Sequence, residues 1–386
     1  MSKLEELIQQ LCPDGVEYKR LGDVLVIKNG RDYKSFKSGN VPVYGSGGIM
    51  AYIDTAVYDK PSVLIPRKGS LEKLYYVDKP FWNVDTIFYT EINTELVCPK
   101  FVYYWLAKQH LERLNKAGGV PSLTQAVLNK ITIPVPPLEI QREIVRILDH
   151  FTELTTELTA ELTARKKQYE YYRDRLLAFD VRGGGTSNVV WRTFGEVATI
   201  VRGASPRPIQ SYITDDENGV PWIKIGDVPV GSKYITGTAE KITEEGSKKS
   251  RHINPGDFVL SNSMSFGRPY ISKIHGCIHD GWLSISNFED SFVPDFLYHL
   301  LSSTTIQNTL AQKASRGTVQ NLNADIVKSL ELPIPPFDVQ NRIAKVLDNF
   351  ETICSDLNIG LPAEIEARQK QYEYYRDKLL TFKPLT

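Results

Sequence analysis

The residues able to do chemistry are scattered, and none of them assembles a recognisable catalytic pattern. His275, Cys277 and His279 alternate, so in an extended strand they share one face and offer three metal-ligand atoms. No fourth ligand stands near them, and ordinary strand residues account for the pattern, so no metal is expected. Pro13-Asp14 followed by Glu17-Tyr18-Lys19 imitates an acid-based nuclease motif, but only two residues separate its parts. Asp78-Lys79-Pro80-Phe81 lacks the first proline of the acid-Pro-Pro-aromatic motif that holds a target amine. A phosphate-cradling Gly-rich loop ending in Gly-Lys-Ser/Thr does not occur, which leaves no case for ATP hydrolysis. The expectation is a chain with no catalytic residues.

What recurs instead is a set of loops that mix Arg or Lys with Gly, Ser and amides. The first half carries Lys28, Asn29, Arg31, Tyr33 and Lys34, then Ser46, then Arg67, Lys68 and Ser70. The second carries Arg202, Ser205 and Arg207, then Lys224, then Ser263, Ser265 and Arg268, then Thr318, Gln320 and Asn321. Glycine lets a backbone approach closely, Arg and Lys reach phosphate or guanine, and Asn or Gln can pair with adenine. Such loops are candidate DNA contacts. For any one of them a solvated turn is the simpler explanation; their recurrence in both halves favours nucleic acid. Net charge argues neither way, since 46 Lys and Arg balance 46 Asp and Glu, and a local basic cleft can coexist with acidic surface elsewhere.

The elements that must position these loops come as a duplication. Residues 165–179, RKKQYEYYRDRLLAF, recur as 368–382, RQKQYEYYRDKLLTF, with changes only at Lys166/Gln369, Arg175/Lys378 and Ala178/Thr381. WRTFGEV (191–197) answers YKRLGDV (18–24), and FDVQNRIAKVLDNFETI (337–353) answers LEIQREIVRILDHFTEL (138–154). Two copies half a chain apart indicate internal pseudo-twofold symmetry, not a solenoid. Between 138 and 180 no Gly or Pro intervenes, and Ile144, Leu148, Phe151, Leu154, Leu158, Leu162, Tyr169, Tyr172 and Leu176 step by threes and fours. That predicts one helix of about 60 Å with a narrow seam suited to a coiled coil. The second copy should be interrupted at Gly360-Leu361-Pro362. Elsewhere the periodicity predicts helices over 1–12 and 101–114, strands at 24–28, 62–66, 74–77 and 85–90, and an extended strand or polyproline segment at 131–137. The framework matches closely between halves and the globular parts match only at their edges, so one scaffold carries two different modules.

Taken together the chain resembles the specificity (S) subunit of type I restriction–modification systems. The resemblance rests on Ile133, Pro134, Pro136, Pro137, Gln141, Ile144, Leu148, Asp149 and Phe151, answered by Leu332, Pro333, Pro335, Pro336, Gln340, Ile343, Leu347, Asp348 and Phe350. The QYEYYRD copies and the TxEL repeats are similar to the subgroup labelled IC. Where recognition domains of this family often carry Asn-Gln near their centre, this chain has Trp82-Asn83-Val84-Asp85 and His279-Asp280-Gly281-Trp282. The resemblance implies an α+β fold, with two α/β target recognition domains (1–137 and 189–336) held apart by two long antiparallel coiled-coil helices (138–180 and 337–382), and a linker at 181–188. Each domain would read half of a gapped DNA site; a helix of that length exceeds a site of about 14 base pairs, about 48 Å. It further implies partners: two methyltransferase (M) subunits and motor-nuclease (R) subunits, which would hold S-adenosylmethionine, ATP and Mg, with no cofactor on this chain. Tyr171, Arg173, Tyr374 and Arg376, off the coiled-coil seam, are the expected M-subunit contacts; a helix end tucked against the other half's recognition domain is the competing arrangement. A coiled-coil protein scaffold without DNA readout is the alternative function. The first residues lack an apolar leader, no run is long enough to span a membrane, and the four cysteines (Cys12, Cys98, Cys277, Cys354) are dispersed, so a cytoplasmic protein with reduced thiols is expected.

Overall fold

The computed structural model describes residues 3–114, 122–179, 188–228, 232–262, 266–314, 322–355 and 359–385. The chain divides into two units, Met1–Leu158 with Ile365–Thr386, and Thr159–Glu364. Each unit therefore combines one globular module, the first part of the long helix that follows it, and the end of the other long helix.

In the first unit an antiparallel sheet runs in the order Leu25–Asn29, Ile87–Ile92, Ser62–Pro66, Tyr75–Val77. A smaller sheet runs Gly48–Ile53, Ser38–Gly45, Trp82–Asn83. The helix Pro99–Lys108 buries Phe101, Val102, Tyr104, Trp105 and Leu106, and these join Val63, Ile65 and Phe88 of the sheet with Ile140, Ile144 and Leu148 in one core. The helix expected over 101–114 stops at Lys108. His110 takes a positive φ of 49°, a conformation no helix tolerates, and Leu111–Leu114 resumes as a single 3-10 turn.

The second unit repeats this plan with a larger second sheet. Its first sheet runs Thr199–Arg202, Trp282–Ser286, Phe258–Ser261, Pro269–Ser272, Tyr234–Ile235. The other has five short strands, in the order Ile213–Thr214, Glu240–Ile242, Val220–Ile223, Gly276–Ile278, Arg251–Ile253. Much of the second module's extra length is thus spent between its first and last sheet strands, away from the framework.

The long helix spans Leu138–Leu176 without a break. Along its Thr-rich middle the hydroxyls are satisfied within the helix, by the carbonyl one turn back: Thr152 donates to Leu148, Thr155 to Phe151, Thr163 to Thr159. The second copy is interrupted as expected, into Phe337–Ser355 and Leu361–Leu379. The seam differs from the expected one at its end: Leu176 is exposed and Leu177 is buried.

Both helix entries are built the same way. Gln141 is fully buried; its carbonyl oxygen accepts from Cys98 N at 2.7 Å, and its amide donates to Leu96 O at 2.9 Å and Pro136 O at 2.7 Å. Cys98 is the N-cap of Pro99–Lys108 and its own side chain caps nothing, and Gln141 contributes from outside the acceptor for the N-cap amide that the N3 Glu or Gln of a capping box would contribute. Gln340 repeats each bond, to Val293 N at 2.8 Å, Ser291 O at 2.9 Å and Pro335 O at 2.8 Å.

Candidate nucleic-acid interface

The two modules share a turn that the side chains do not advertise. In the first unit it is Val84-Asp85-Thr86. Ile87 N bonds to Val84 O, Val84 N to Tyr44 O, Arg67 N to Thr86 O, Arg31 N to Asn83 O and Leu123 N to Arg67 O, at 2.9–3.1 Å. In the second it is His279-Asp280-Gly281. Trp282 N bonds to His279 O, His279 N to Ile223 O, Asn262 N to Gly281 O, Ala204 N to Ile278 O and Leu322 N to Asn262 O, at 3.0–3.3 Å. The bond set is the same in both; the residues are almost all different. Three positions keep their residue type: the central Asp85 and Asp280, Leu123 and Leu322, and one glycine in each facing loop. Gly30 and Gly203 pass so close that a Cβ would overlap Val84 O in one unit and His279 O in the other, which only glycine allows.

Around the first turn the structure gathers Asn29, Arg31, Ser46, Arg67 and Lys68. Ser46 N donates to Thr86 Oγ1 at 3.3 Å, and Lys68 N to Thr86 O at 3.2 Å. Asn29 accepts from Gln125 Nε2 at 3.4 Å. The Arg67 guanidinium lies over the Phe88 ring, 5.7 Å from its centre. Ser70 follows in the loop of Arg67. Other expected contacts are placed differently. Lys28 pairs with Glu91 at 3.7 Å. The Tyr33 ring packs beside Val43 and Trp82, in the small sheet's core. Lys34 belongs to a local turn in which Asp32 Oδ1 accepts from the Tyr33 and Lys34 amides.

Around the second turn, Asp280 is the hub. Its carboxylate accepts from Ser205 Oγ at 3.0 Å and lies 3.7 Å from the Arg207 guanidinium and 3.0 Å from His279 Nε2. Its carbonyl accepts from Arg202 Nε and Asn262 Nδ2, both at 3.0 Å. Arg202, Ser205 and Arg207 are thus brought together. Lys224 is not with them, because its ammonium is spent on Glu240 at 2.6 Å. Arg268 lies over Tyr270, 5.6 Å from the ring centre. Ser263, Ser265, Thr318, Gln320 and Asn321 lie outside the described residues. Sequence reasoning missed Asp85, Thr86, Asn262 and the organising role of Asp280. The signal available was positional, the loss of Asn-Gln from these two places.

The three alternating ligand types do not converge. Cys277 is buried with burial raising its thiol to about 11, His279 Nδ1 accepts from Gly281 N at 2.9 Å, and His275 bonds Asn254 at 3.1 Å. Among the described residues one other group, His299, Asp348 and Glu351, brings three ligand atoms within 4.8 Å. Each is already engaged. His299 Nε2 meets Asp348 at 2.8 Å, Lys233 meets Asp348 at 2.8 Å, and Tyr298 donates to Glu351 at 2.9 Å. Burial alone would raise the Asp348 carboxyl, but His299 and Lys233 hold it below its ordinary value. This is a structural network, and its counterpart in the first unit is Tyr104 and Lys100 on Asp149, at 2.6 and 2.7 Å.

The repeated QYEYY segments dock onto these networks. In the second unit Tyr169 OH bonds His299 Nδ1 at 3.0 Å, and Tyr172 stacks on Phe350 with centres 5.7 Å apart. In the first unit Tyr372 packs on Tyr104 and Tyr375 stacks on Phe151; burial pushes the Tyr372 hydroxyl up to about 12. Each helix end therefore tucks against the module of the other half. Two expected outward residues are corrected by this. Arg173 and Arg376 turn inward, their side chains 11% and 12% exposed, each lying over the tyrosine four residues before it. Tyr171 and Tyr374 stay exposed, at 57% and 62%.

Comparison with known proteins follows the same outline. The family described as type I restriction modification DNA specificity domain matches residues 13–165 and 187–367. The chain belongs to this family. As a specificity chain it is 32% identical to a putative type I restriction enzyme specificity subunit of Haemophilus influenzae, over 95% of this chain and 96% of the relative. It is 37% identical to the EcoR124I/EcoR124II specificity subunit of Escherichia coli, over 74% of this chain and 72% of that one. Its fold is similar to a chain solved in a study of type I complex assembly and conformational transition (TM-score 0.66, 20% identity, covering 96% of this chain and 98% of that one). It is also similar to the S subunit from Mycoplasma genitalium (TM-score 0.58, 14% identity, covering 95% and 96%). No helix among the described residues is long and apolar enough to cross a membrane.

Proposed function

We propose that each unit reads one half of a bipartite, gapped DNA site, using the surface built around Val84–Thr86 in one and His279–Gly281 in the other. The observation that carries this is the duplicated backbone scaffold. A protein that reads two different half-sites with one design needs a common frame and divergent side chains, and the two turns supply both. Backbone bonds fix the frame; Arg31, Arg67 and Lys68 in one unit and Arg202 and Arg207 in the other supply cations for phosphate and guanine. A protein-interaction scaffold without DNA readout has no need of that divergence.

The chain serves as the specificity subunit of a larger complex. Two methyltransferase subunits and the motor-nuclease subunits complete it, adenine is the methylated base, and S-adenosylmethionine, ATP and Mg are held by those partners. Tyr171 and Tyr374 are the residues we assign to methyltransferase docking. The DNA reading is tested by titrating salt. In the assembled complex, Arg31→Ala with Lys68→Ala should weaken DNA binding and flatten its salt dependence by about one power per lost phosphate contact. An unchanged slope would overturn the placement of this surface on DNA.

A further inference from the structure

Asp85 and Asp280 occupy the same place in the two turns, yet they are in opposite states. Asp280 is occupied by Ser205, Arg207 and His279. Asp85 is exposed, and no hydrogen bond or ion pair to its carboxylate occurs among the described residues. The reason lies in the facing loop. Counting from the shared glycines Gly30 and Gly203, the residue matching Ser205 is Asp32. A second carboxylate has no proton to donate, and Asp32 is turned instead to the amides of Tyr33 and Lys34. Arg67, whose amide bonds the turn at Thr86 O, has its guanidinium held over Phe88.

We propose that Asp85 is a base-reading residue, accepting a hydrogen bond from an exocyclic amino group in the major groove; this rests on the reading above that the turn faces DNA. An unpaired carboxylate on a surface approaching a polyanion is repelled unless it receives a proton donor there. A carboxylate only accepts. Guanine presents O6 and N7 and thymine presents O4 and a methyl, with no donor on either major-groove edge. Cytosine N4 and adenine N6 are the donors that remain. Adenine sets its N7 acceptor beside the amine, where it repels the second carboxylate oxygen, so cytosine is the better partner. The rigid turn gives the side chain a fixed origin, as base readout requires. In the second unit the same position has become an organiser: the Asp280 carboxylate accepts from Ser205 and pairs with Arg207, and its carbonyl holds Arg202, leaving two cations that suit guanine. The two half-sites are therefore read with opposite hydrogen-bond polarity at this point.

The test uses the chain assembled with its partner subunits, and duplexes of its target in which each cytosine is replaced in turn by 2-pyrimidinone and each adenine by purine, both lacking only the amine. The wild-type complex should lose about tenfold to a hundredfold in affinity at one position of one half-site, and the Asp85→Ala complex should show no loss there. A pyrimidinone position identifies cytosine and a purine position adenine. Retained discrimination at the other half-site shows that the variant is folded. If Asp85→Ala keeps every sensitivity of the wild type, the inference is wrong while the DNA reading stands. If the wild type prefers no sequence at all, the DNA reading itself falls.

Discussion

Replacing Gln141 with Leu removes three hydrogen bonds at once from a site with no exposure. Leu is close to Gln in size and carries no polar atom, so most of the cost is polar. Cys98 N, Leu96 O and Pro136 O lose their partner, and a buried group left unsatisfied costs about 1–3 kcal/mol. Leu96 and Cys98 are half-buried, so water recovers part of two of these, and the sum falls at about 3–4 kcal/mol. That is a large share of the roughly 5–15 kcal/mol that holds a domain folded. The loss is local, because the bonds cap the helix Pro99–Lys108 and anchor the start of Leu138–Leu176. Hydrogen exchange read by mass spectrometry should show the amides of Pro99–Lys108 losing more than about a hundredfold in protection, while Pro294–Leu301 is unchanged. Gln340→Leu should give the reciprocal result. Protection altered by less than about fivefold in both variants would refute the claim that these glutamines join module to helix.

Glu143 gives a pH-dependent outcome. Hydrogen bonds from Arg146 and Lys3 hold its carboxyl at about 2, below its unfolded value of about 4.3. Its stabilisation is complete above that unfolded value and is lost as pH falls through about 2. The difference in melting temperature between wild type and Glu143→Gln should be constant at neutral pH and close as pH drops from about 4.3 to about 2; a gap that stays constant would contradict the pairing. Tyr104→Phe removes the 2.6 Å bond to Asp149 and should cost about 1.5–3 kcal/mol in urea unfolding, as a bond to a charged group does; no change would show that Lys100 alone satisfies Asp149. Tyr171→Ala with Tyr374→Ala should prevent co-purification of the methyltransferase subunit without altering the melting temperature, and intact assembly would remove these residues from the docking surface.

The framework was legible because its signals are local and repeated. A run of 39 helical residues shows in periodicity and in the absence of Gly and Pro, and the break before Leu361 shows in Gly360 and Pro362. The end of Pro99–Lys108 was not legible, since nothing in the composition of 101–114 forecasts the positive φ of His110. Arg173 and Arg376 were misplaced for a different reason. Helical spacing gives the face a residue lies on, but these side chains fold back over Tyr169 and Tyr372, and Arg173 reaches on to Thr304, 131 residues away. The shared turn was hidden because backbone amides and carbonyls build it, and those leave little residue signature beyond Gly30 and Gly203, Asp85 and Asp280, and Leu123 and Leu322. Lys224 illustrates the converse: a cation in a suggestive loop whose charge is already spent on a strand neighbour.

The central claim is that one chain directs modification to two half-sites through two divergent copies of one frame. Genome-wide mapping of adenine methylation, in a host carrying this chain with its methyltransferase partner, tests it most directly. The account predicts a single bipartite motif, two specified halves separated by unspecified bases, with changes at Arg31 or Arg67 altering one half and changes at Arg202 or Arg207 altering only the other. A continuous motif, or no sequence-dependent methylation, would contradict it.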